Sequence, residues 1–269
     1  MSISSVIKSL QDIMRKDAGV DGDAQRLGQM SWLLFLKIFD AQEEELEFEQ
    51  DDEYQAPIPE KYLWRNWAAD TEGMTGDALL DFVNDELFVE LKNLTAPIKQ
   101  NPRGFVVKAA FSDAFNYMKN GTLLRQVINK LNEVDFTKSE ERHLFGDIYE
   151  QILKDLQSAG NAGEFYTPRA VTQFIVDRVD PKLAESVLDP ACGTGGFLAC
   201  TIDHKRRKYR KNSKDEPVLV ASIHGVEKKA LPHMLCTTNM ILHGIDTPTQ
   251  IEHDNMLSRR AYKDYGEKD

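Results

Sequence analysis

Apolar residues recur at spacings of three and four along the first 158 residues, which is the pattern of helices that bury one face. Alternating, β-branched runs are scarce there. Turn sequences separate the helical segments at Ala56–Pro59, Asn101–Gly104 and Asn120–Gly121. The most apolar window, Met30–Phe39, contains a lysine and is about half the roughly 20 residues that span a bilayer. We therefore predict a helical domain, with this window as a buried helix and no membrane span.

The pattern changes after a flexible stretch of small residues, Ser158–Gly163, which includes two glycines and suits a hinge. Helical and strand-like segments then alternate. The order strand, helix, strand, helix, strand predicts a parallel sheet with right-handed crossovers. The expected organisation is a helical domain at 1–158, a hinge at 159–163 and an α/β domain at 164–269. The predicted strands are Ser186–Asp189, which we expect to be short and buried, Val218–Val226 and Gln250–Asp254. The helices between them are Phe197–Tyr209 and Leu231–His243.

A further helix is predicted to run to Val179, because Thr167 can cap its N-terminus and Pro168 suits its first position. Its apolar residues, which share one face, are Val171, Phe174, Ile175 and Val179.

Composition and charge exclude several classes of protein. The net charge of −11 argues against a chain that grips DNA unaided, so any DNA contact must be local or shared with a partner. The three cysteines are an odd number with no ligand spacing to histidine, so we expect reduced core thiols and no metal site. No secretion signal opens the sequence, and we expect a cytoplasmic protein.

The strongest motif is Asp-Pro-Ala-Cys-Gly-Thr-Gly-Gly-Phe at Asp189–Phe197, placed where a strand turns into a helix. Its glycines let backbone approach a nucleotide-like cofactor. Leu198 stands where a dinucleotide fingerprint has its third glycine, and Glu227 lies further on than that fingerprint expects. An aspartate ending the strand suits a cationic sulfonium better than a pyrophosphate. The alternative is a tight turn with packing glycines.

Two acidic residues end the following strands. Glu227 is placed to accept hydrogen bonds from ribose hydroxyls, and Asp254 could meet the adenine of the cofactor. The alternatives are an exposed strand-end glutamate and a turn aspartate.

A second motif, Gly-Glu-Phe-Tyr-Thr-Pro-Arg at Gly163–Arg169, places two aromatic residues beside a flexible loop. Phe165 and Tyr166 could wall a pocket.

Two charged stretches remain open in function. Lys205–Lys214 carries seven basic residues, which could contact DNA phosphates, a partner protein or nothing; the first is disfavoured because the run lies at the end of the sheet opposite the glycine turn. Glu43–Glu53 carries eight carboxylates, and we interpret it as a solvated helix end and loop rather than a docking surface for a basic partner.

Together the two motifs resemble those of the modification (methyltransferase) subunits of type I restriction-modification systems, and the resemblance spans nearly the whole chain. Trp32–Asp40 is similar to the first long helix of that family's N-terminal domain, Gly146–Tyr149 to the segment before its hinge, and Asn239–Gly244 to the stretch after its ribose-binding glutamate. The resemblance implies a helical domain followed by a Rossmann-like methyltransferase domain, here interrupted after about the third strand.

The resemblance also implies S-adenosylmethionine as cofactor and N6 of adenine in double-stranded DNA as target. It implies partners as well: a second modification subunit, a DNA-specificity subunit and a restriction subunit. The cofactor residues that it implies are Glu164, Phe165, Tyr166, Thr167, Pro168, Arg169, Asp189, Gly193, Thr194, Gly195, Gly196, Glu227 and Asp254.

Methyl transfer in this family depends on an Asn/Asp-Pro-Pro-Tyr/Phe tetrapeptide, and no two of the ten prolines here are adjacent. We therefore assign no catalytic residue to this chain, and expect it to be inactive alone and prone to association through an uncovered sheet edge. Three alternatives stay open: a non-catalytic cofactor-binding or assembly module, a solitary or fused adenine methyltransferase, and a nicotinamide dehydrogenase.

Overall fold

A computed structural model describes residues 3–50, 54–134 and 167–258. The chain divides into two compact units, Met1–Tyr166 and Thr167–Asp269. The predicted hinge at 159–163, the Gly146–Tyr149 segment and residues Glu164, Phe165 and Tyr166 lie outside the described residues. The domain limits drawn from the sequence therefore stay predictions.

The described part of the first unit is helical, as its apolar spacing predicts. The described residues of this unit form α1 (Ile3–Met14), α2 (Asp23–Gln50), α3 (Trp64–Trp67), α4 (Gly76–Asp81), α5 (Phe88–Asn93), α6 (Pro102–Phe111) and α7 (Gly121–Asn132). Helices α4 and α5 are joined by a π-helical segment, Phe82–Leu87, so that Gly76–Asn93 is one continuous rod. A 3₁₀ turn, Glu60–Tyr62, precedes α3.

Two of the predicted turn sequences are helix N-termini. The Asn101 side chain accepts a hydrogen bond from the Gly104 amide while Pro102 takes the first helical position of α6. In the same way, Asn120 accepts from the Leu123 amide and starts α7. Asparagine satisfies an amide that has no partner inside the helix, which is why these sequences both end one segment and begin the next.

The predicted buried helix forms the middle of α2. Its Trp32, Leu33 and Phe35 side chains are almost completely buried. Trp32 packs edge-on against Phe88 with ring centroids 5.1 Å apart, and Phe35 packs against Phe111 at 6.0 Å. Aromatic contacts with these two rings from α5 and α6 fix α2 at the centre of the unit.

The acidic stretch at the end of α2 is only partly solvated, which corrects the prediction at its first residue. Glu43 is completely buried. Its carboxylate pairs with the Arg103 guanidinium and accepts a hydrogen bond from the Tyr54 hydroxyl at 2.6 Å. The Arg103 guanidinium also lies 5.0 Å from the centroid of the Phe39 ring. Glu43 therefore belongs to the core, whereas Glu44, Glu47 and Glu49 are exposed.

The second unit contains a parallel sheet of three strands that lie in the order of the sequence, which confirms the predicted parallel sheet. Its core consists of buried apolar side chains from the helices and the strands, among them Leu198, Ile223, Cys236, Met240 and Ile251. Its elements are α8 (Arg169–Val179), β1 (Val187–Asp189), α9 (Gly196–Lys208), α10 (Asp215–Ala221), β2 (Ile223–Glu227), α11 (Ala230–Leu242), β3 (Ile251–His253) and a 3₁₀ turn (Met256–Ser258).

Three local predictions for this unit were wrong. The second strand begins at Ile223, because Asp215–Ala221 is a helix whose Pro217 stands in the first turn, where the missing amide hydrogen costs no helical bond. The first strand is not fully buried, since Leu188 is 43% exposed. Thr167 does not cap α8: the residue at the cap position is Pro168, and no side chain donates or accepts there.

The apolar face predicted for α8 is exposed in the part of the chain that the structure describes. Val171, Phe174, Ile175 and Val179 are all exposed. Beside them lies an apolar cavity of about 250 Å³ whose lining includes Ile175, Val179, Leu188 and Phe197. No helix within the described ranges is long and apolar enough to cross a bilayer.

Candidate functional site

The acidic residues that follow the strands meet at one edge of the sheet. Parallel pairing puts Asp189 opposite Gly225, and Glu227 opposite His253, so all three strands end on the same side. The Asp254 amide donates a hydrogen bond to the Glu227 carbonyl at 3.1 Å, which brings the third strand end against the second. The carboxyl edge of a parallel sheet is the usual place for a ligand in α/β proteins.

Glu227 contacts the glycine turn directly. One carboxylate oxygen accepts a hydrogen bond from the Gly193 amide at 3.0 Å, and the other accepts from the Lys229 amide at 2.7 Å. The two amides hold the carboxylate in one orientation at the mouth of the turn.

Asp189 lies beside Glu227 with its carboxylate partly withdrawn from water. Burial raises the pKa of Asp189, the Ala191 amide at 3.2 Å opposes that shift, and the negative charge of Glu227 adds to it. Two carboxylates this close repel each other, so the edge would be stabilised by a cation or by hydrogen-bond donors.

The turn between β1 and α9 needs glycine for two different reasons. Gly193 and Gly195 have φ angles of 54° and 80°, in the left-handed region. A Cβ on Gly195 would also lie 2.7 Å from the Cys236 sulfur. Gly195 thus packs closely against α11. For this residue the alternative given above, a glycine required for packing, is correct. Gly193 points its amide toward Glu227.

Helix α11 forms the wall behind the turn. It is buried from Pro232 to Ile241, and its Asn239 side chain donates a hydrogen bond to the Thr194 carbonyl at 3.0 Å. The Cys192 thiol donates a hydrogen bond to the Cys236 sulfur at 3.7 Å. This hydrogen bond, together with burial, raises the pKa of Cys236. All three cysteines are buried core residues, as predicted.

Of the Gly163–Arg169 motif, the structure describes Thr167, Pro168 and Arg169. The first two are exposed at the start of α8. The Arg169 guanidinium donates to the Gly196 carbonyl at 3.3 Å and lies 3.3 Å from Nε2 of His243. The structure therefore brings this arginine to the outer side of the glycine turn.

The basic run is largely engaged within the unit. Lys205 is buried, and its ammonium donates to the Glu185 carbonyl and the Ser222 hydroxyl, both at 2.6 Å. Burial lowers the pKa of Lys205 to about 8. Four further cations in the run have carboxylate partners: Arg206 and Arg210 pair with Glu216, Arg207 with Asp177 and Lys208 with Asp180. These contacts favour a structural role for the run over a DNA contact.

Sequence reasoning missed two contributors to this site. The Lys229 amide was not foreseen, because a backbone donor leaves no trace in residue type. The contact of Asn239 with the turn was not foreseen either, although a polar residue inside a helix as apolar as Leu231–His243 is a usable signal. Among the described residues, no group of three or more His, Cys, Asp or Glu side chains is placed to hold a metal ion.

Carboxylates gathered around a glycine turn at the carboxyl edge of a parallel sheet are an arrangement typical of ligand-binding α/β proteins. Two family models match the chain: the HsdM N-terminal domain over residues 3–131 and the N-6 DNA Methylase domain over residues 140–269. The chain belongs to the family of type I restriction enzyme methylase (modification) subunits.

Three relatives illustrate this membership. The chain is 78% identical over 259 residues to the methylase subunit of the type I restriction enzyme EcoEI of Escherichia coli, covering 96% of this chain and 53% of that protein. It is 41% identical to a solved modification subunit of a putative type I restriction enzyme from Vibrio vulnificus YJ016, with a TM-score of 0.80 and coverage of 95% and 56%. A solved chain from a study of complex assembly and conformational transition in the type I R-M system is 35% identical, with a TM-score of 0.81 and coverage of 96% and 51%. The chain thus spans about half the length of these relatives.

Proposed function

We propose that this chain carries the cofactor-binding part of a DNA adenine-N6 methyltransferase subunit, with S-adenosylmethionine as the cofactor and a Rossmann-like fold around it. The observation that carries the proposal is the meeting of Asp189, Gly193 and Glu227 at one sheet edge. Family membership supplies the reaction class, because the N-6 DNA Methylase model covers this site.

The residues present fit such a cofactor. Asp189 and Glu227 place two carboxylates at this edge, an arrangement that favours a positive charge, and the cofactor carries a sulfonium and an ammonium group. The Glu227 carboxylate offers acceptors for the two hydroxyls of a ribose. A pyrophosphate, in contrast, would bring its negative charge against both carboxylates. The site therefore favours the methyl donor over a nicotinamide dinucleotide.

Each group has its own part in this proposal. Asp189 and the Gly193–Gly196 turn would hold the methionine and sugar portions, Glu227 the ribose hydroxyls, and Asp254 the adenine. Residues Glu164 to Arg169 would line the methionine side, with Arg169 acting through its hydrogen bond to the Gly196 carbonyl. When bound, the cofactor supplies an electrophilic methyl group; the protein's contribution is to fix its position and exclude water.

The acceptor half of the active site requires residues that this sequence does not contain. An Asn/Asp-Pro-Pro-Tyr/Phe loop would hold the amino group of an adenine flipped out of the duplex. We infer that the 269-residue chain binds cofactor and does not transfer its methyl group.

The proposed partners follow from charge as well as family. The net charge of −11 argues against DNA binding by this chain alone, and most of the basic run is engaged within the second unit. We propose that double-stranded DNA is held jointly with a DNA-specificity subunit and a second modification subunit, and that a restriction subunit joins this assembly. One of the solved relatives comes from a study of type I complex assembly.

Photo-crosslinking with methyl-labelled S-adenosylmethionine tests both parts of the proposal in one experiment. The isolated chain is irradiated with the cofactor in the presence of unmodified duplex DNA. We expect label on the protein, lost when excess S-adenosylhomocysteine competes, and none on the DNA. Unlabelled protein would contradict the cofactor assignment, whereas labelled adenine would contradict the inferred inactivity.

A further inference from the structure

We propose that Asn239 is a positioning residue that fixes the shape of the glycine turn from behind, through α11. The inference rests on the proposed function, because the turn matters only if it holds the cofactor. The side chain of Asn239 is buried in α11, and its hydrogen bond goes to the backbone of the turn. Its effect must therefore pass through the turn.

The first observation is a buried hydrogen bond to the middle of the turn. The Asn239 side chain is 2% exposed, and its amide nitrogen donates to the Thr194 carbonyl at 3.0 Å. Thr194 stands between two glycines in the left-handed region, where the backbone has more freedom than anywhere else in the motif. A carbonyl in so free a segment needs a fixed partner to hold one orientation.

The second observation is that the same peptide unit is held at its other end. The Gly195 amide donates to the Cys192 carbonyl at 2.8 Å, while the Thr194 carbonyl of that peptide accepts from Asn239. The peptide plane is therefore tied on both sides. With that plane fixed, the neighbouring Gly193 amide is directed at Glu227.

The third observation is that one face of α11 fits the turn closely. Cys236, Asn239 and Met240 are spaced as neighbours on a helix face. The position of a Cβ on Gly195 would lie 2.7 Å from the Cys236 sulfur and 3.1 Å from the terminal methyl of Met240. The turn thus rests on α11 by close packing, and Asn239 adds a hydrogen bond from that packed face to the backbone of the turn.

The test compares Asn239→Leu with wild type at a temperature where both are folded. Leucine keeps the number and branching of the side-chain heavy atoms, is somewhat larger, and removes the donor to Thr194. We expect the dissociation constant for S-adenosylmethionine, measured by calorimetry, to rise about tenfold or more. We also expect faster hydrogen–deuterium exchange in the peptide that covers residues 192–197. Asn239→Ser is the second variant if the leucine form does not fold.

Thr238→Val is the matched control on the same helix. Thr238 is equally buried, and its hydroxyl donates to the Met234 carbonyl within α11 rather than to the turn. This variant should lose some stability and keep both the dissociation constant and the turn exchange close to wild type.

The outcomes separate the two proposals. Suppose that wild type binds the cofactor. The positioning role is then overturned if Asn239→Leu leaves either the hydrogen exchange of the turn or the affinity for the cofactor unchanged. The same holds if Thr238→Val changes both as strongly. If wild type binds no cofactor while Asn239→Leu still loosens the turn, the proposed function fails and the control of the turn by Asn239 stands.

Discussion

Gly195→Ala is expected to destabilise the second unit by about 2–5 kcal/mol and to abolish measurable cofactor binding. Roughly 1–2 kcal/mol comes from placing a side chain in the left-handed region at φ 80°. A further 1–3 kcal/mol or so comes from overpacking, because the new Cβ would lie 2.7 Å from the buried Cys236 sulfur. Moving the turn away from α11 would also displace the Gly193 amide from Glu227.

Gly196→Ala is the matched control, one residue further along. The nearest atom to its added Cβ is a Thr172 methyl at 4.0 Å, which is ordinary contact, and Gly196 already begins α9. Its stability should stay within about 1 kcal/mol of wild type, since alanine is the better helix former. The tryptophans all lie in the first unit, so hydrogen exchange of Val187–His253 in increasing denaturant is the suitable measurement. Equal stability of the two variants would contradict the geometry of the turn.

Arg103→Met is expected to destabilise the first unit by about 3–5 kcal/mol, because it leaves the Glu43 carboxylate buried without its counter-charge. Glu43 is completely buried, and Tyr54 would remain as a donor that cannot neutralise it. The variant also loses the guanidinium stacked on Phe39. Denaturant unfolding followed by tryptophan fluorescence reports this unit specifically, since Trp32, Trp64 and Trp67 are the three tryptophans of the chain.

Two controls isolate the buried charge. Arg15→Met makes the same substitution in an exposed pair with Asp12, 2.8 Å apart, and should cost less than about 1 kcal/mol. The double variant Arg103→Met with Glu43→Met should recover most of the loss, because it removes both charges from the interior. A loss as small for Arg103→Met as for Arg15→Met would show that Glu43 is not held as a buried ion.

The sequence was sufficient where local pattern decides structure. Helical spacing identified the buried middle of α2, and the strand-turn-helix pattern placed Asp189, the glycines and Glu227 at one edge of a parallel sheet. These features depend on neighbours within a few residues. The apolar stretch from Val218 was ambiguous for the same reason, since a short apolar run suits a strand and a buried helix equally; its first part is helical.

What the sequence did not predict depends on partners far along the chain. Glu43 is buried because Arg103, sixty positions later, neutralises it, and no local pattern announces that pair. The position of the basic run disfavoured a DNA contact, but its pairing with Asp177 and Asp180 could not be predicted from the sequence. The role proposed for Asn239 depends on its hydrogen bond to the Thr194 carbonyl, a contact that only the fold reveals.

The central claim is that the carboxyl edge of this sheet holds S-adenosylmethionine, and calorimetric titration of the 269-residue chain tests it most directly. We predict one site per chain for S-adenosylmethionine, no binding of NAD⁺, and at least about tenfold weaker binding in Glu227→Gln, which keeps the shape of the side chain and removes its charge. Binding of NAD⁺ in preference, or affinity for S-adenosylmethionine that is absent or indifferent to Glu227→Gln, would contradict it.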